Sequence, residues 1–394
     1  MPYIDGIIDE MDKLTPAELQ RYSRHLVLQD FGVENQLKLR RASVLVVGAG
    51  GLGCPALLYL AAAGVGTIGV IDSDLLEVSN LQRQILYTIH DIGRNKAEAA
   101  IDRLSLLNPL THLRCYPFRL TSQNALAIIG EHDLVIDGTD NFPTRYLIND
   151  ACVLLDKPFV YASILQYEGQ AAVFNFRNKE GKFSANYRDI FPEPPAADSV
   201  PNCEEAGVLG VLPGMLGCIQ ANETIKILTG IGEPLSNRLL ILDSATMQLS
   251  IIRIPDYQAR EKITSLIDYE DFCGINAGKN KSLNDKLLTM KEVTVQELKK
   301  LMDSKADFQL IDVREPHEYD ICHLNGELIP MSDIPNNVDK ISKDKQVVIH
   351  CRSGKRSGDM LLWLEKNHGF KNLYNLKGGI LAWAKDIDPE FPTY

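Results

Sequence analysis

The sequence has no Cys-x-x-Cys pair, no apolar run of membrane-spanning length and no excess of positive charge. Each absence removes a class of function. Its eight cysteines stand at irregular spacings, which reads neither as a disulfide framework nor as a zinc-ligand set, so reduced thiols are expected. Without a long apolar run, no transmembrane segment and no membrane partner are expected. The opening MPYIDGIIDEMDKL places acidic side chains where a secretory signal needs a basic start, so the expected location is the cytoplasm. A net charge of −11 argues against a nucleic-acid partner and fits protein and small-molecule partners better. Internal repeats and low-complexity segments are absent as well.

What is present is a globular composition, 45% hydrophobic and 24% charged, in 394 residues. That length exceeds what one core usually serves and predicts two domains. Thr15-Pro16-Ala17-Glu18 has the form of a capping box, opening a helix expected to carry Arg21 and Arg24. From residue 42 the run ASVLVV, a glycine turn, the stretch LGCPALLYLAAAG and a second run ending TIGVID make a strand, turn, helix, strand unit. Runs at HDLVIDGTD and PFVYAS, alternating with helical stretches such as NKAEAAIDRLSLL, extend it. The fold class is therefore α/β, a Rossmann-like, doubly wound, mostly parallel sheet followed by a smaller α/β domain. Residues 178–213 are Pro- and Asp-rich and predict a long exposed loop. The expected boundaries are 1–270 for the first domain, 271–288 for a linker and 289–394 for the second. A capping box at Thr294 and Glu297, strands at FQLIDV and QVVIHC, and helices around DMLLWLEKN and GGILAWAKD outline that second domain.

Gly48, Gly50 and Gly53 form Gly-x-Gly-x-x-Gly between a strand and a helix, with Gly51 inside the turn. Small residues there let amides and a helix N-terminus approach phosphates. Asp72 ends the next strand, where it can accept hydrogen bonds from a ribose. These residues alone suit a nicotinamide-dependent oxidoreductase equally well. Downstream stand Asn80-Leu81-Gln82-Arg83-Gln84, Lys96 and Asp137-Gly138-Thr139-Asp140-Asn141, with Arg-Tyr-Ser-Arg at 21–24. Together these motifs resemble the MoeB/ThiF family of ubiquitin-activating-type adenylyltransferases, over roughly residues 15 to 255. Attack of a carboxylate on the α-phosphorus of ATP needs like charges neutralised, which suits Arg83 and Lys96. The resemblance implies that Asp140 holds Mg²⁺, Asn80 contacts phosphate, Asp72 binds the ribose, and Gln84 and Asn141 line the ATP site. It further implies that Arg24 reaches the γ-phosphate bound by a neighbouring subunit, hence a homodimer.

One departure from that family concerns zinc, commonly held there on two Cys-x-x-Cys pairs near positions 186/189 and 257/260. This chain has Asn186, Tyr187, Arg188 and Asp189 in the first segment, and Tyr257 and Arg260 in the second. Zinc is therefore expected to be absent. Cys203, in Asn-Cys-Glu-Glu-Ala-Gly, lies where related enzymes carry a cysteine that bonds to the activated carrier; either that role or a structural one suits it. Cys54, Cys115, Cys152 and Cys218 sit in apolar patterns and are expected in the core.

In the second domain, Cys351-Arg352-Ser353-Gly354-Lys355-Arg356 follows a strand and precedes a helix. Backbone amides, a helix N-terminus and three cations converge on one thiol, which should stabilise a thiolate or persulfide. A cysteine phosphatase needs Cys-x5-Arg, and Ser357 stands at that position. The loop, Asp312-Val313-Arg314-Glu315 and Gly378-Gly379 resemble rhodanese sulfurtransferases over residues 289–394. As a whole the chain is similar to MoeZ-type adenylyltransferase–sulfurtransferases, which implies the following activity. ATP adenylylates the C-terminal carboxylate of a ubiquitin-like sulfur carrier with a Gly-Gly tail; a Cys351 persulfide, loaded by a cysteine desulfurase or thiosulfate, then yields a thiocarboxylate. Such carriers serve molybdopterin, thiamine or tRNA thiolation pathways. A non-catalytic scaffold for carrier and sulfur donor is the further alternative.

Overall fold

A computed structural model describes residues 13–195, 207–255, 263–274 and 290–394. The chain divides into two compact units, 1–279 and 280–394. In the first, strands β1 (Ser43–Val47), β2 (Thr67–Ile71), β3 (His112–Tyr116), β4 (Leu134–Asp137), β5 (Phe159–Leu165), β6 (Glu168–Phe174), β7 (Arg238–Asp243) and β8 (Gln248–Arg253) form one sheet. Its order is β3-β2-β1-β4-β5-β6-β7-β8. Neighbours from β3 to β5 run parallel, and β6 to β8 add antiparallel hairpins. Helices on both faces bury Val44, Leu45, Val46 and Val47, the reason β1 reads as an unbroken apolar run. The order reverses between β1 and β4, and at such a switch point loops diverge at the strands' carboxyl ends and leave a crevice.

The opening capping box is made: Thr15 Oγ1 accepts from Glu18 N at 3.2 Å, and a Glu18 carboxylate oxygen accepts from Thr15 N at 2.7 Å. That helix, Pro16–Arg21, stops before Arg24, which lies on a separate short helix, Ser23–Leu26. Tyr22 breaks it, its hydroxyl drawn inward to accept from Asn108 Nδ2 at 2.9 Å. Ser184 to Tyr187, expected in an exposed loop, are buried. Tyr187 packs among the rings of Tyr146, Tyr161, Phe174 and Phe191.

At the positions where the family resemblance implies zinc cysteines, Asn186 and Asp189 close a capping box on a short 3-10 turn. Arg188 pairs with both oxygens of Asp150 at 2.8 Å and lies over the rings of Tyr146 and Phe272. Tyr269 donates to the same carboxylate at 2.8 Å. Phe272 and Cys273 therefore pack into the first unit's core, although the linker was expected to begin at residue 271. Residues 257 and 260 lie outside the described residues. No group of three or more His, Cys, Asp or Glu side chains is placed to hold a metal among the described residues.

The second unit is an all-parallel sheet of β9 (Glu292–Val293), β10 (Phe308–Asp312), β11 (Glu327–Leu328), β12 (Gln346–His350) and β13 (Leu373–Leu376), ordered β11-β10-β12-β13-β9. Thr294 and Glu297 close the expected capping box on the helix Val295–Asp303. β12, the central strand, ends directly at Cys351.

Candidate functional site

A cleft of about 670 Å³ opens at the carboxyl ends of β1, β2, β4 and β5, at the switch point of the first sheet. Gly48, Gly50, Gly51, Asp72, Arg83, Gln84, Lys96, Asp140 and Asn141 all line it. The glycine turn is tight. Gly48 has φ +90°, and a Cβ there would stand 2.7 Å from the carbonyl oxygen of Gly138, so only glycine lets the loops after β1 and β4 approach. Asp72 accepts from the amides of Ala49 and Asp74 at 2.8 and 2.9 Å. Burial pushes its carboxyl up against the pull of Lys96 and those amides. Lys96 starts the helix Lys96–Leu107, whose N-cap Asn95 accepts from Glu98 N. Its buried ammonium meets Asp74 at 2.9 Å, while Asp74 remains largely exposed. Half-buried Arg83 donates to the carbonyl of Ser79 at 3.2 Å. Gln84 is 4% exposed, and its side-chain oxygen has no hydrogen-bond partner among the described residues. An unsatisfied acceptor in a polar cleft is a position for a ligand donor.

The floor is rigid. Arg145 Nε donates to Asp137 at 3.2 Å, its other donors reach the carbonyls of Thr139 and Ala162, and its guanidinium lies 5.0 Å from the Tyr161 ring. Asn141 caps the helix Phe142–Leu154 by accepting from Thr144 N at 3.0 Å. Asp140, beside it, is exposed and accepts no hydrogen bond from a described residue. Mg²⁺ is commonly held by one or two carboxylates together with substrate phosphates, and this single open carboxylate fits that requirement.

Cys351 is fully buried. Its sulfur accepts from Gly354 N at 3.1 Å and from the Ser357 hydroxyl at 3.4 Å. The Ser357 hydroxyl also lies 2.7 Å from Asn375 Oδ1. Gly354, at φ +91°, turns the chain from the loop into the helix Lys355–His368. The three cations do not simply converge on the thiol, as the sequence suggested. Arg356 is held by both oxygens of Glu318 at 2.7 Å, and Arg352 Nε donates to the main-chain oxygen of Tyr394 at 2.6 Å. Lys355 also has an interaction of its own. The Gly354 amide is the committed donor on the sulfur, while the Ser357 hydroxyl beside it is shared with Asn375 Oδ1, and guanidiniums are fixed around them.

The ThiF family matches residues 22–263, and the rhodanese-like domain family matches residues 294–386. The chain belongs to the ThiF family. Over 393 residues it is 44% identical to the probable adenylyltransferase/sulfurtransferase MoeZ of Mycobacterium tuberculosis, covering 98% of each chain. Over 402 residues it is 43% identical to the adenylyltransferase and sulfurtransferase MOCS3 of Culex quinquefasciatus, covering 97% of this chain and 91% of that one. Among solved structures, E. coli MccB with ATP shares the fold at TM-score 0.52 and 23% identity, over 63% of this chain and 76% of that one.

Within this ThiF-family frame, three residues singled out in the sequence do not line the cleft. Gly53 serves packing, since a Cβ there would meet the Gly48 carbonyl oxygen at 2.0 Å. Asn80 spends its side-chain oxygen on the amide of Glu77. Arg24 is exposed on its short helix. Cys203 lies outside the described residues. Cys54 and Cys152 are core residues, and burial pushes the Cys54 thiol up to about 12. Cys218 is only half-buried, and Cys115, expected in the core, is exposed because β3 is an edge strand. Sequence reading missed Phe118, Arg119 and Leu120 after β3, and Ser163, Leu165, Glu168 and Gln170 of the β5–β6 hairpin, all of which line the cleft. No motif marks them; the sheet order brings them there.

Proposed function

We propose that this ThiF-family chain adenylylates the C-terminal glycine carboxylate of a ubiquitin-like sulfur-carrier protein with ATP, then sulfurates it from a persulfide on Cys351. The observation that carries the first half is the gathering of Arg83, Lys96, Asp72 and an open Asp140 around one glycine turn. A carboxylate oxygen of the carrier attacks the α-phosphorus, the bond to the β-phosphate oxygen breaks, and pyrophosphate leaves with the electron pair. Arg83 and Lys96 offset the charge that builds on the phosphates, as preorganised cations do in a water-poor site. Asp140 would hold Mg²⁺, which neutralises phosphate charge when bound. Asp72 would take the ribose hydroxyls, and the free acceptor of Gln84 a ligand donor. Arg24, exposed, suits the phosphate tail bound by a second copy in a homodimer.

In the second half the outer sulfur of the Cys351 persulfide attacks the carrier's carbonyl carbon. AMP leaves with the bonding pair, and an acyl disulfide joins carrier and Cys351. A thiol, Cys203 in our reading, attacks the Cys351 sulfur and frees the carrier thiocarboxylate; an external thiol reduces the disulfide left behind. The Gly354 amide stabilises the anionic sulfur. Either a cysteine desulfurase or thiosulfate suits the loading step, and Asn186 and Asp189, which leave no thiolate at those positions, support a reading without zinc. The test of the first half is ATP–pyrophosphate exchange in the presence of a Gly-Gly-tailed carrier. Carrier-dependent exchange is expected, and exchange with no carrier, or with none of a panel of carriers, contradicts the reading.

A further inference from the structure

The polar residues around Cys351 are joined by one that no motif marks, Tyr394. The last helix, Gly379–Asp386, begins against the catalytic loop: Ile380 N and Leu381 N donate to the carbonyls of Cys351 and Arg352 at 3.0 and 3.1 Å. Gly379 permits this approach, since a Cβ there would lie 2.5 Å from both of those carbonyl oxygens. From that helix the chain returns to the loop, with Phe391 and Tyr394 packed on the unit's second apolar cluster. The Tyr394 hydroxyl accepts from Arg314 Nη1 and donates to Glu318, both at 2.7 Å. Arg314 is fully buried, forked onto Asp312, and cannot move without leaving that carboxylate unpaired. Tyr394 is therefore anchored at its far end.

At its near end it holds Arg352. The Tyr394 main-chain oxygen takes the Nε–H of Arg352, and the guanidinium lies 5.6 Å from the centre of the Tyr394 ring. Among the described residues the Nη groups of Arg352 have no hydrogen-bond partner. A guanidinium fixed by its Nε side and its face, with its outer donors uncommitted, is set to receive an anion. The groups that must reach Cys351 in the sulfur-transfer reading, a sulfur donor such as thiosulfate and then an acyl-adenylate, are anionic.

We propose that Tyr394 is a positioning residue of the sulfur-transfer site, presenting Arg352 to the anionic substrates of Cys351. The proposal rests on the sulfur-transfer reading for its substrates but not for its test. Cys351 of the full chain is alkylated with iodoacetate, an anion, and with neutral iodoacetamide, and the two rates are read at the Cys351 peptide by mass spectrometry. The ratio of rates cancels accessibility and intrinsic thiol reactivity, so a merely structural role for Tyr394 moves both rates and leaves the ratio alone. In Tyr394→Ala the iodoacetate-to-iodoacetamide ratio falls about three-fold, the scale of one lost guanidinium–ring contact. Tyr394→Phe keeps the ring and main chain but loses the two charge-assisted bonds to Arg314 and Glu318, and its ratio falls about two-fold, less than in Tyr394→Ala because the ring still faces Arg352. In an Arg352→Gln background the Tyr394 substitutions change the ratio no further. A ratio equal to the parent's in both Tyr394 variants overturns the proposal. Thiosulfate-to-cyanide turnover, compared between the parent and Cys351→Ala, tests the sulfur-transfer reading separately.

Discussion

Lys96 and Arg83 are the cleft cations whose chemistry is most exposed to test. Neither closes a buried ion pair, because Asp74 is largely exposed and Arg83 meets only a carbonyl. Replacing either by Ala should lower carrier-dependent pyrophosphate exchange by roughly 10²–10³-fold, the scale of one preorganised transition-state contact, with the thermal midpoint almost unmoved. An equal fall in the midpoint would instead mark a structural role. Gly48 should behave in the opposite way: Gly48→Ala places a side chain at φ +90° against the Gly138 carbonyl. A loss of at least about 2 kcal/mol is expected in urea unfolding. In the second unit, burial holds the His350 imidazole down to about 4 from an ordinary 6.5. Its unfolded form therefore takes up a proton first, and stability falls as pH drops from 6.5 toward 4, by roughly 3 kcal/mol at the lower end. Glu318, held down to about 2 despite burial by Arg356, Tyr394 and the Glu315 amide, adds a further loss below 4.5. Both tryptophans, Trp363 and Trp383, lie in this unit, so their fluorescence in urea follows it alone. The acid slope between pH 6.5 and 4 should flatten in His350→Leu, and an unchanged slope would show that the imidazole is not its source. The glycines and Cys351 were legible in the sequence because their chemistry is local. Tyr394 was not, since its partners are distant along the chain and its residue type carries no motif.

The strands and capping boxes of both units follow from short-range pattern: runs of β-branched residues on central strands, Thr with Glu three residues on at helix starts. What escaped pattern is the segment from Ser184 to Asp189, which carries loop-like residues yet packs an aromatic cluster and an ion pair. Its burial depends on Phe272 and Tyr269, remote in sequence, covering Arg188 and completing the Asp150 carboxylate. Asp150 is almost fully buried and takes hydrogen bonds from Arg188, Tyr269 and Asn149. Asp150→Ala leaves the guanidinium unpaired and should cost about 3 kcal/mol, read as a lower urea midpoint for the first unit by near-UV circular dichroism. Tyr269→Phe, which removes one donor to that carboxylate, should cost about 2 kcal/mol. An Asp150→Ala midpoint equal to the parent's would show that this network does not staple the segment.

For the whole molecule, the order β3-β2-β1-β4-β5 places the cleft where the order reverses, and β12 delivers Cys351 at the carboxyl end of a central strand. The same rule locates both sites, and it was readable once the strands were. The cleft's other wall was not, because Phe118 and the β5–β6 hairpin reach it through sheet order rather than through any motif. Two separate units make the two half-reactions separable: Cys351→Ala should leave pyrophosphate exchange within about two-fold of the parent, as expected when the two sites share no partners. The central claim is that one chain both activates and sulfurates its carrier. Its most direct measurement is the intact mass of a Gly-Gly-tailed carrier after incubation with the full chain, ATP, Mg²⁺, thiosulfate and a thiol reductant. The parent chain should replace one carboxylate oxygen of the carrier by sulfur, and Cys351→Ala should give only adenylate or unmodified carrier. Thiocarboxylate formed equally by Cys351→Ala would contradict that claim.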